Sequence, residues 1–115
     1  MKIRRGFVSN SSSTSFTITN TSNEEKDLID FVAENPYLLE DYLNQYDWYG
    51  EDEAYTLENL LKSAAMRNET FLSNESKICT FGDEEGNLIG QVFDYMLRDG
   101  GKSKSFKWKF FEFNR

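Results

Sequence analysis

Histidine is absent from this sequence, and cysteine and proline occur only once each. Without histidine, the commonest general base, the usual activator of a nucleophilic serine or cysteine, and the commonest zinc ligand are all missing. The one cysteine, Cys79, excludes an intramolecular disulfide and is typical of a protein from a reducing compartment. These absences weigh against most hydrolases and against histidine-ligated metal sites.

Other patterns are also missing. No apolar run approaches the roughly 20 residues that a transmembrane helix needs, so we expect no membrane association. The first residues, MKIRRGFVSN, lack the apolar core of a secretory signal, which predicts a cytoplasmic protein. Gly82, Gly86 and Gly90 match neither the P-loop nor the dinucleotide-binding pattern. Cys79 lies in an apolar segment and is expected to be buried. We therefore predict no enzyme, no catalytic residue, no cofactor and no metal site.

Aromatic residues are the abundant class. They make up 16% of a 115-residue chain that is only 38% hydrophobic, so phenylalanine, tyrosine and tryptophan must supply much of the core. This content is too high for a disordered chain, and the length suits one core. We expect a single domain over residues 1–115, with residues 1–14 as a serine-rich N-terminal lead-in.

Alternating apolar and polar residues predict strands at residues 15–19, 77–81 and 103–113. Between them, apolar residues at helical spacing predict helices. The predicted fold class is α+β, with a small antiparallel sheet of about three strands packed against about four helices. Because strands lie near both ends of the chain, we expect these terminal strands to be neighbours in the sheet.

The helix boundaries are predicted from capping residues. Ser22 and Glu25 fit a capping box for the first helix, and Pro36 is suited to the first turn of the second. The third helix is expected to begin near Thr56. Asn87 is the expected cap of the fourth helix, which Gly100 and the next glycine end.

Charge is divided unevenly along the chain. Residues 1–22 carry +3 and residues 100–115 carry +4, which leaves −14 on residues 23–99 of a chain whose total is −7. Acidic runs in this middle part form a candidate acidic surface: Glu51, Asp52, Glu53, Asp83, Glu84 and Glu85. Such a surface either imitates the phosphates of a nucleic acid or is simply solvated. The runs lack the ligand spacing of a calcium loop.

Lysines alternate with aromatic residues in the last predicted strand. Lys107 and Lys109 flank Trp108, an arrangement that resembles a strip for stacking bases and binding phosphates. Alternation, however, places Trp108 on the opposite face from the lysines. We therefore expect Trp108 in the core, lysines that protect an edge strand from pairing, and no nucleic-acid binding. The alternation slips at Phe111, so Phe111 and Phe113 either share the lysine face or are turned inward by a bulge.

The N-terminal stretch RRGFVSNSSSTSF is a second candidate site. Its hydroxyls and backbone amides, close to arginine side chains, are suited to holding an anion or accepting a modification. The candidate interaction or modification residues are Arg4, Arg5, Gly6, Phe7, Ser9, Asn10, Ser11, Ser12 and Ser13.

Residues 5–16 also resemble the start of many small uncharacterised proteins of bacteriophages and bacteria, an arginine followed by GFVSNSSSSSF. Thr14 replaces one serine here, and the order G-F-V-S-N-S-S is kept. Residues 81–87, FGDEEGN, and residues 106–108, FKW, also look like parts of those proteins, and together the segments cover roughly a quarter of the chain. The resemblance implies a phage or prophage accessory protein in a bacterial host, without an established reaction or cofactor.

The leading hypothesis is a non-enzymatic accessory protein that binds another protein, such as a host or defence factor. One alternative is an acidic nucleic-acid mimic. Another is a protein whose serine-rich stretch is a signal for processing, modification or packaging. The oligomeric state and the identity of the partner stay open at this point.

Overall fold

The computed structural model describes residues 13–46, 56–82 and 88–114. Its strands are β1 (Ser13–Asn20), β2 (Lys26–Asp27), β3 (Thr70–Phe71), β4 (Ser76–Gly82), β5 (Gly101–Lys102) and β6 (Phe106–Asn114). Its helices are α1 (Leu28–Glu34), α2 (Tyr37–Tyr46), α3 (Leu57–Arg67) and α4 (Leu88–Met96). No helix in these ranges combines the length and the apolar character that crossing a bilayer requires.

The main sheet has four antiparallel strands in the order β4-β1-β6-β5, and β2 and β3 form a separate two-stranded sheet. The predicted α+β class is confirmed, and so is the pairing of the two terminal strands, β1 and β6. The sheet has one strand more than predicted. The additional strand, β5, was not predicted because it is only two residues long. A strand of that length has no alternation to recognise and is defined only by its partner.

The core is predominantly aromatic and is centred on Phe31 of α1. The centroid of its ring lies 5.4 Å from that of Phe93, 5.1 Å from Phe106 and 5.0 Å from Trp108, each time edge-on. Edge-to-face contact is a preferred arrangement for aromatic rings. Trp108 is 4% exposed, so its predicted burial is confirmed.

The beginning of α1 differs from the prediction. Asp27 is the N-cap, and it exchanges hydrogen bonds with Asp30: the Asp30 amide donates to Asp27 Oδ1 over 2.9 Å, and the Asp27 amide donates to Asp30 Oδ2 over 3.0 Å. The predicted box of Ser22 and Glu25 is wrong. Ser22 Oγ instead donates to Asn20 Oδ1 over 2.7 Å, which draws it into the turn after β1.

Asn20 holds the end of β1 against β3. Its side chain is fully buried, and its Nδ2 donates to the carbonyl oxygens of Glu24 (2.8 Å), Phe71 (3.0 Å) and Leu72 (3.2 Å). The two N–H groups of the amide are shared among these three acceptors, and burial of the side chain is tolerated because its polar atoms are hydrogen-bonded.

Other predicted boundaries are confirmed. Thr56 is the N-cap of α3, and α2 begins directly after Pro36. Ser13 and Thr14 belong to β1 rather than to the N-terminal lead-in in which they were predicted. The expected cap at Asn87 lies outside the described residues.

A bulge interrupts the pairing of β1 and β6. Phe16 lies opposite Phe110, yet the preceding residue, Ser15, lies opposite Glu112, so Phe111 is the extra residue. Of the two arrangements predicted for this end of the strand, the bulge is confirmed, but it does not bury the rings: Phe111 is 49% exposed and Phe113 45%. Beyond it, Phe113 lies on the helix side, where the guanidinium carbon of Arg98 is 5.0 Å from its ring centroid.

Candidate docking face of the sheet

The two faces of the main sheet have different neighbours. One, the helix-covered face, packs against the helices: the ring centroid of Phe81 lies 5.3 Å from that of Phe93 in α4. Its residues are Phe16, Ile18, Cys79, Phe81, Phe106 and Trp108, all buried. The other, the open face, carries the alternate residues of the same strands. Six of them are exposed or half-buried: Thr17, Thr19, Ser76, Ile78, Lys107 and Lys109. Ser15, on the same side near the start of β1, is buried.

The first row of the open face crosses all four strands. Ser76 lies opposite Thr19, Thr19 opposite Lys107, and Lys107 opposite Lys102 of β5. A hydrogen bond of 2.7 Å joins Thr19 Oγ1 to Ser76 Oγ. Because directly paired residues point to the same side of a sheet, two lysine side chains leave it together at one end of this row.

The second row contains Ile78, Thr17 and Lys109, again as direct cross-strand neighbours. Ile78 is 55% exposed, which is unusual for an isoleucine within a strand and supplies an apolar contact beside the polar groups. Together with Thr19 in the first row, Thr17 gives β1 a column of hydroxyl groups in the middle of the open face.

A groove of about 370 Å³ lies over the basic end of these rows. We call it the lysine groove, and it is lined by Thr17, Thr19, Gly101, Lys102, Lys107, Trp108 and Lys109. No carboxylate is among the lining residues. The size falls in the range of pockets that hold small ligands or short segments of a partner.

The lysines of the groove have no ion-pair partner among the described residues. By contrast, Lys26, Lys62, Lys77 and Arg98 each have a carboxylate oxygen within 3.8 Å. In a chain of net charge −7, three neighbouring cations without a carboxylate therefore mark a local region of positive potential.

Gly101 allows β5 to lie close to the indole of Trp108 beside the lysine groove. A Cβ atom at this position would lie 2.7 Å from Cζ2 of Trp108, so any larger residue would push the indole away from β5. Nε1 of the same indole is buried and has no hydrogen-bond partner among the described residues. The close approach of Trp108 to the glycine holds β5, and with it Lys102, in place beside β6.

Glu34 of α1 fixes the turn that connects β5 to β6. Its Oε1 accepts hydrogen bonds from Ser103 Oγ over 2.7 Å and from the Ser105 amide over 2.9 Å. Burial on its own would raise the pKa of Glu34, but these hydrogen bonds and the charge of Lys26 outweigh it, so the pKa lies below its ordinary value of 4.5. The hairpin that carries the lysines is thus anchored to the helical layer.

The interpretation of the lysines as edge protection is wrong for Lys107. At this residue β6 is paired on both sides, with β1 and with β5, so there is no free edge to protect. The real outer edge on the other side of the sheet is β4, where Arg67 of α3 donates a hydrogen bond of 3.0 Å to the carbonyl oxygen of Thr80. Lys107 thus contributes to a face of the sheet. Lys102 lies on the outer strand β5, and Lys109 is paired only with β1, so edge protection stays a prediction for these two lysines.

Two side chains with catalytic potential, Cys79 and Asp94, are buried and do not line the lysine groove. Burial raises the pKa of the Cys79 thiol to about 12, with a further rise from the charge of Glu69, so the reactive thiolate is disfavoured. Asp94 is 2% exposed and bound by Thr14 Oγ1 at 2.5 Å and by Arg98 at 3.2 Å. Within the described part of the chain, no cluster of acidic and cysteine side chains is arranged to hold a metal ion.

Most residues predicted as sites lie outside the described ranges. This applies to Arg4, Arg5, Gly6, Phe7, Ser9, Asn10, Ser11 and Ser12, and to Glu51, Asp52, Glu53, Asp83, Glu84 and Glu85. Ser13 is the exception, and it begins β1 between Gly82 and Asn114. The structure does not bring it into the lysine groove.

Only part of the lysine groove could be predicted from the sequence. Lys107 and Lys109 were visible as alternating lysines, and Thr17 and Thr19 as the polar half of S-F-T-I-T, but nothing in the sequence related the two strands in register. Comparisons with known protein families, with curated proteins and with solved structures find no match for this chain.

Proposed function

We propose that this chain is a non-enzymatic accessory protein, of phage or prophage type, that binds another protein in the cytoplasm of a bacterial host. The observation that carries the proposal is the open face of the sheet, where lysines without an ion-pair partner in the described part of the chain lie beside a column of threonine hydroxyls. The phage origin rests on the resemblance of residues 5–16. The partner would be a host or defence factor with an acidic surface.

A solvated sheet face is the simplest alternative, since antiparallel sheets commonly leave one face in water. Two features favour a docking surface. The first is that the basic end carries charges of one sign only. Lys102 and Lys107 lie directly opposite each other, and because such a pair of like charges destabilises a sheet, stability of the fold does not explain it. Ile78, exposed in the row of Thr17 and Lys109, adds the apolar contact that protein interfaces need near their centre.

The nucleic-acid mimic is less well supported. A mimic needs a series of free carboxylates, yet several described acids are neutralised by a nearby cation. These pairs are Glu24 with Lys26, Glu58 with Lys62, Glu69 with Lys77 and Asp94 with Arg98. The serine-rich signal stays a separate prediction, and the intact mass of the natively expressed protein tests its processing and modification versions.

The proposal is tested by affinity capture from the native host with the unmodified chain, with Lys109→Glu and with Lys62→Glu. Lys62 lies on α3, its side chain is 69% exposed, and its substitution changes the charge by the same amount. We expect one protein to be captured in stoichiometric amount by the unmodified chain and by Lys62→Glu, and to be lost with Lys109→Glu. Capture that is indifferent to Lys109 would contradict docking at the open face.

A further inference from the structure

The lysine groove has a charge spacing that can be compared with possible ligands. Lys107 and Lys109 lie two residues apart on the same face of β6, a separation of about 6.6–6.8 Å along a strand. Lys102 lies directly opposite Lys107, at about 5 Å between their Cβ atoms. One end of the groove therefore presents two ammonium groups and the next position along β6 presents a third.

An extended peptide has the same period. Its side chains on one side recur at every second residue, at the same separation of about 6.6–6.8 Å. Carboxylates on alternate residues would thus meet the lysines of β6 in register, the first between Lys102 and Lys107 and the second at Lys109. Thr17 and Thr19 lie between these positions and β4. The hydroxyl of Thr17 could donate to a peptide group or a carboxylate, while that of Thr19 shares a hydrogen bond with Ser76.

A single-stranded nucleic acid fits less well. Proteins that bind it combine basic side chains with aromatic rings on which the bases stack. Here the aromatic residue of the groove, Trp108, is 4% exposed and its ring packs edge-on against Phe31 on the helix-covered face. Among the described lining residues, no exposed ring accompanies the lysines.

We infer that the lysine groove binds an extended acidic segment of the protein partner, with carboxylates at alternate residues over Lys107 and Lys109. This inference rests on the proposed function and names the chemistry of the partner. Binding of the segment involves no covalent step and no cofactor. Its carboxylates lose contacts with water and gain contacts with ammonium and hydroxyl groups. Its binding weakens as the ionic strength rises, because the groove is open to solvent.

The test measures binding of the full chain to two labelled peptides of equal composition and charge. One repeats Glu-Thr, which puts all its carboxylates on one side at the spacing of the lysines. The other repeats Glu-Glu-Thr-Thr, which divides them between the two sides at twice that spacing. By fluorescence anisotropy we expect the first to bind at least about fivefold more tightly, a difference of the size that one well-placed charge contact makes.

Substitutions then locate the site. Lys109→Glu should weaken binding of the Glu-Thr peptide by at least about tenfold, whereas Lys62→Glu should change it by less than about twofold. Amide chemical shifts of Thr17, Thr19 and Lys109 should move on addition of the peptide, and those of α3 should not. Thermal melting of each variant shows that the fold is retained.

Four outcomes would overturn the inference: equal binding of the two peptides, an unchanged affinity in Lys109→Glu, no binding of either peptide, or tighter binding of an oligothymidine of the same charge. Its failure is distinguishable from that of the proposed function. If Lys109→Glu loses the captured partner but the peptide does not bind, the docking face stands and the acidic segment is wrong. If the variant keeps the partner, both fail.

Discussion

The helix-covered face and the open face are built from the same strands, and β1 shows the contrast most directly. Phe16 and Ile18 are fully buried against the helices, while Thr17 and Thr19, which alternate with them, point to the open face. The first pair excludes water and stabilises the fold, and the second pair forms part of a polar surface.

The comparison gives a rule for substitutions. Truncation on the helix-covered face removes apolar contacts and leaves a cavity, so it should lower the free energy of unfolding. Truncation on the open face removes atoms that water replaces, so it should change stability little and binding more. The following substitutions test the rule, in order of their expected effect.

The largest difference is expected between Phe16 and Thr17. Phe16→Ala should lower the free energy of unfolding by about 3–5 kcal/mol, because the ring is fully buried and its centroid lies 6.2 Å from that of Phe81. Thr17→Ala should lower it by less than about 1 kcal/mol. Urea denaturation measures both, and Phe16→Leu serves if the alanine variant does not fold. Similar losses at the two positions would show that the open face is covered in solution.

A polar pair on the same strand sharpens the comparison. Asn20→Ala should cost about 1–3 kcal/mol, since the buried carbonyl oxygen of Phe71 loses its side-chain donor and that of Leu72 keeps only the Glu75 amide. Thr19→Ala removes an exposed hydrogen bond to Ser76 and should cost about 0.5 kcal/mol. The same denaturation experiment applies. A small effect at Asn20 would mean that water reaches those carbonyls.

Gly101 connects the two faces, since the lysine groove depends on its contact with a core indole. Gly101→Ala should cost about 1–3 kcal/mol, because the added Cβ would lie 2.7 Å from Trp108. Combining it with Trp108→Phe should recover part of this loss relative to Trp108→Phe alone. A double-mutant cycle from thermal or urea melts measures the coupling, and strict additivity would contradict the contact.

The smallest effect concerns pH and the anchor of the β5–β6 hairpin. The pKa of Glu34 is lower in the folded chain than its ordinary value of 4.5, so its contribution to stability is present above that pH and is lost as the pH falls through the folded value. Glu34→Gln should therefore be less stable than the unmodified chain at neutral pH, and the gap should close in acid. Urea midpoints between neutral and acid pH measure it, and a constant gap would contradict the assignment.

The sequence allowed a good part of the fold to be predicted, because that part depends on local pattern. Alternation placed Trp108 in the core, and strand-like segments at both ends of the chain indicated that β1 and β6 pair. The two-residue strands β2, β3 and β5 could not be found in this way. The N-cap of α1 was misplaced because two segments fit a capping box, and the choice between them depends on hydrogen bonds of the buried Asn20.

The candidate site was less predictable than the fold. Lys107 and Lys109 were recognised as a basic pair, but their meaning depends on which strands lie beside them. Lys102 enters the groove only because β5 folds back on β6, and Thr17 and Thr19 only because of the register between β1 and β6. Register between segments far apart in the chain follows from tertiary packing, which a single sequence pattern does not reveal.

Because of the bulge at Phe111, the charge on the open face changes along β6. Since the bulge absorbs one residue, Glu112 returns to the side of the sheet that carries Lys107 and Lys109, opposite Ser15. Along β6 the open face thus runs from positive to negative within a few residues. If the proposed acidic segment binds here, the carboxylate of Glu112 would repel it, which disfavours a shift of the segment towards the end of the strand.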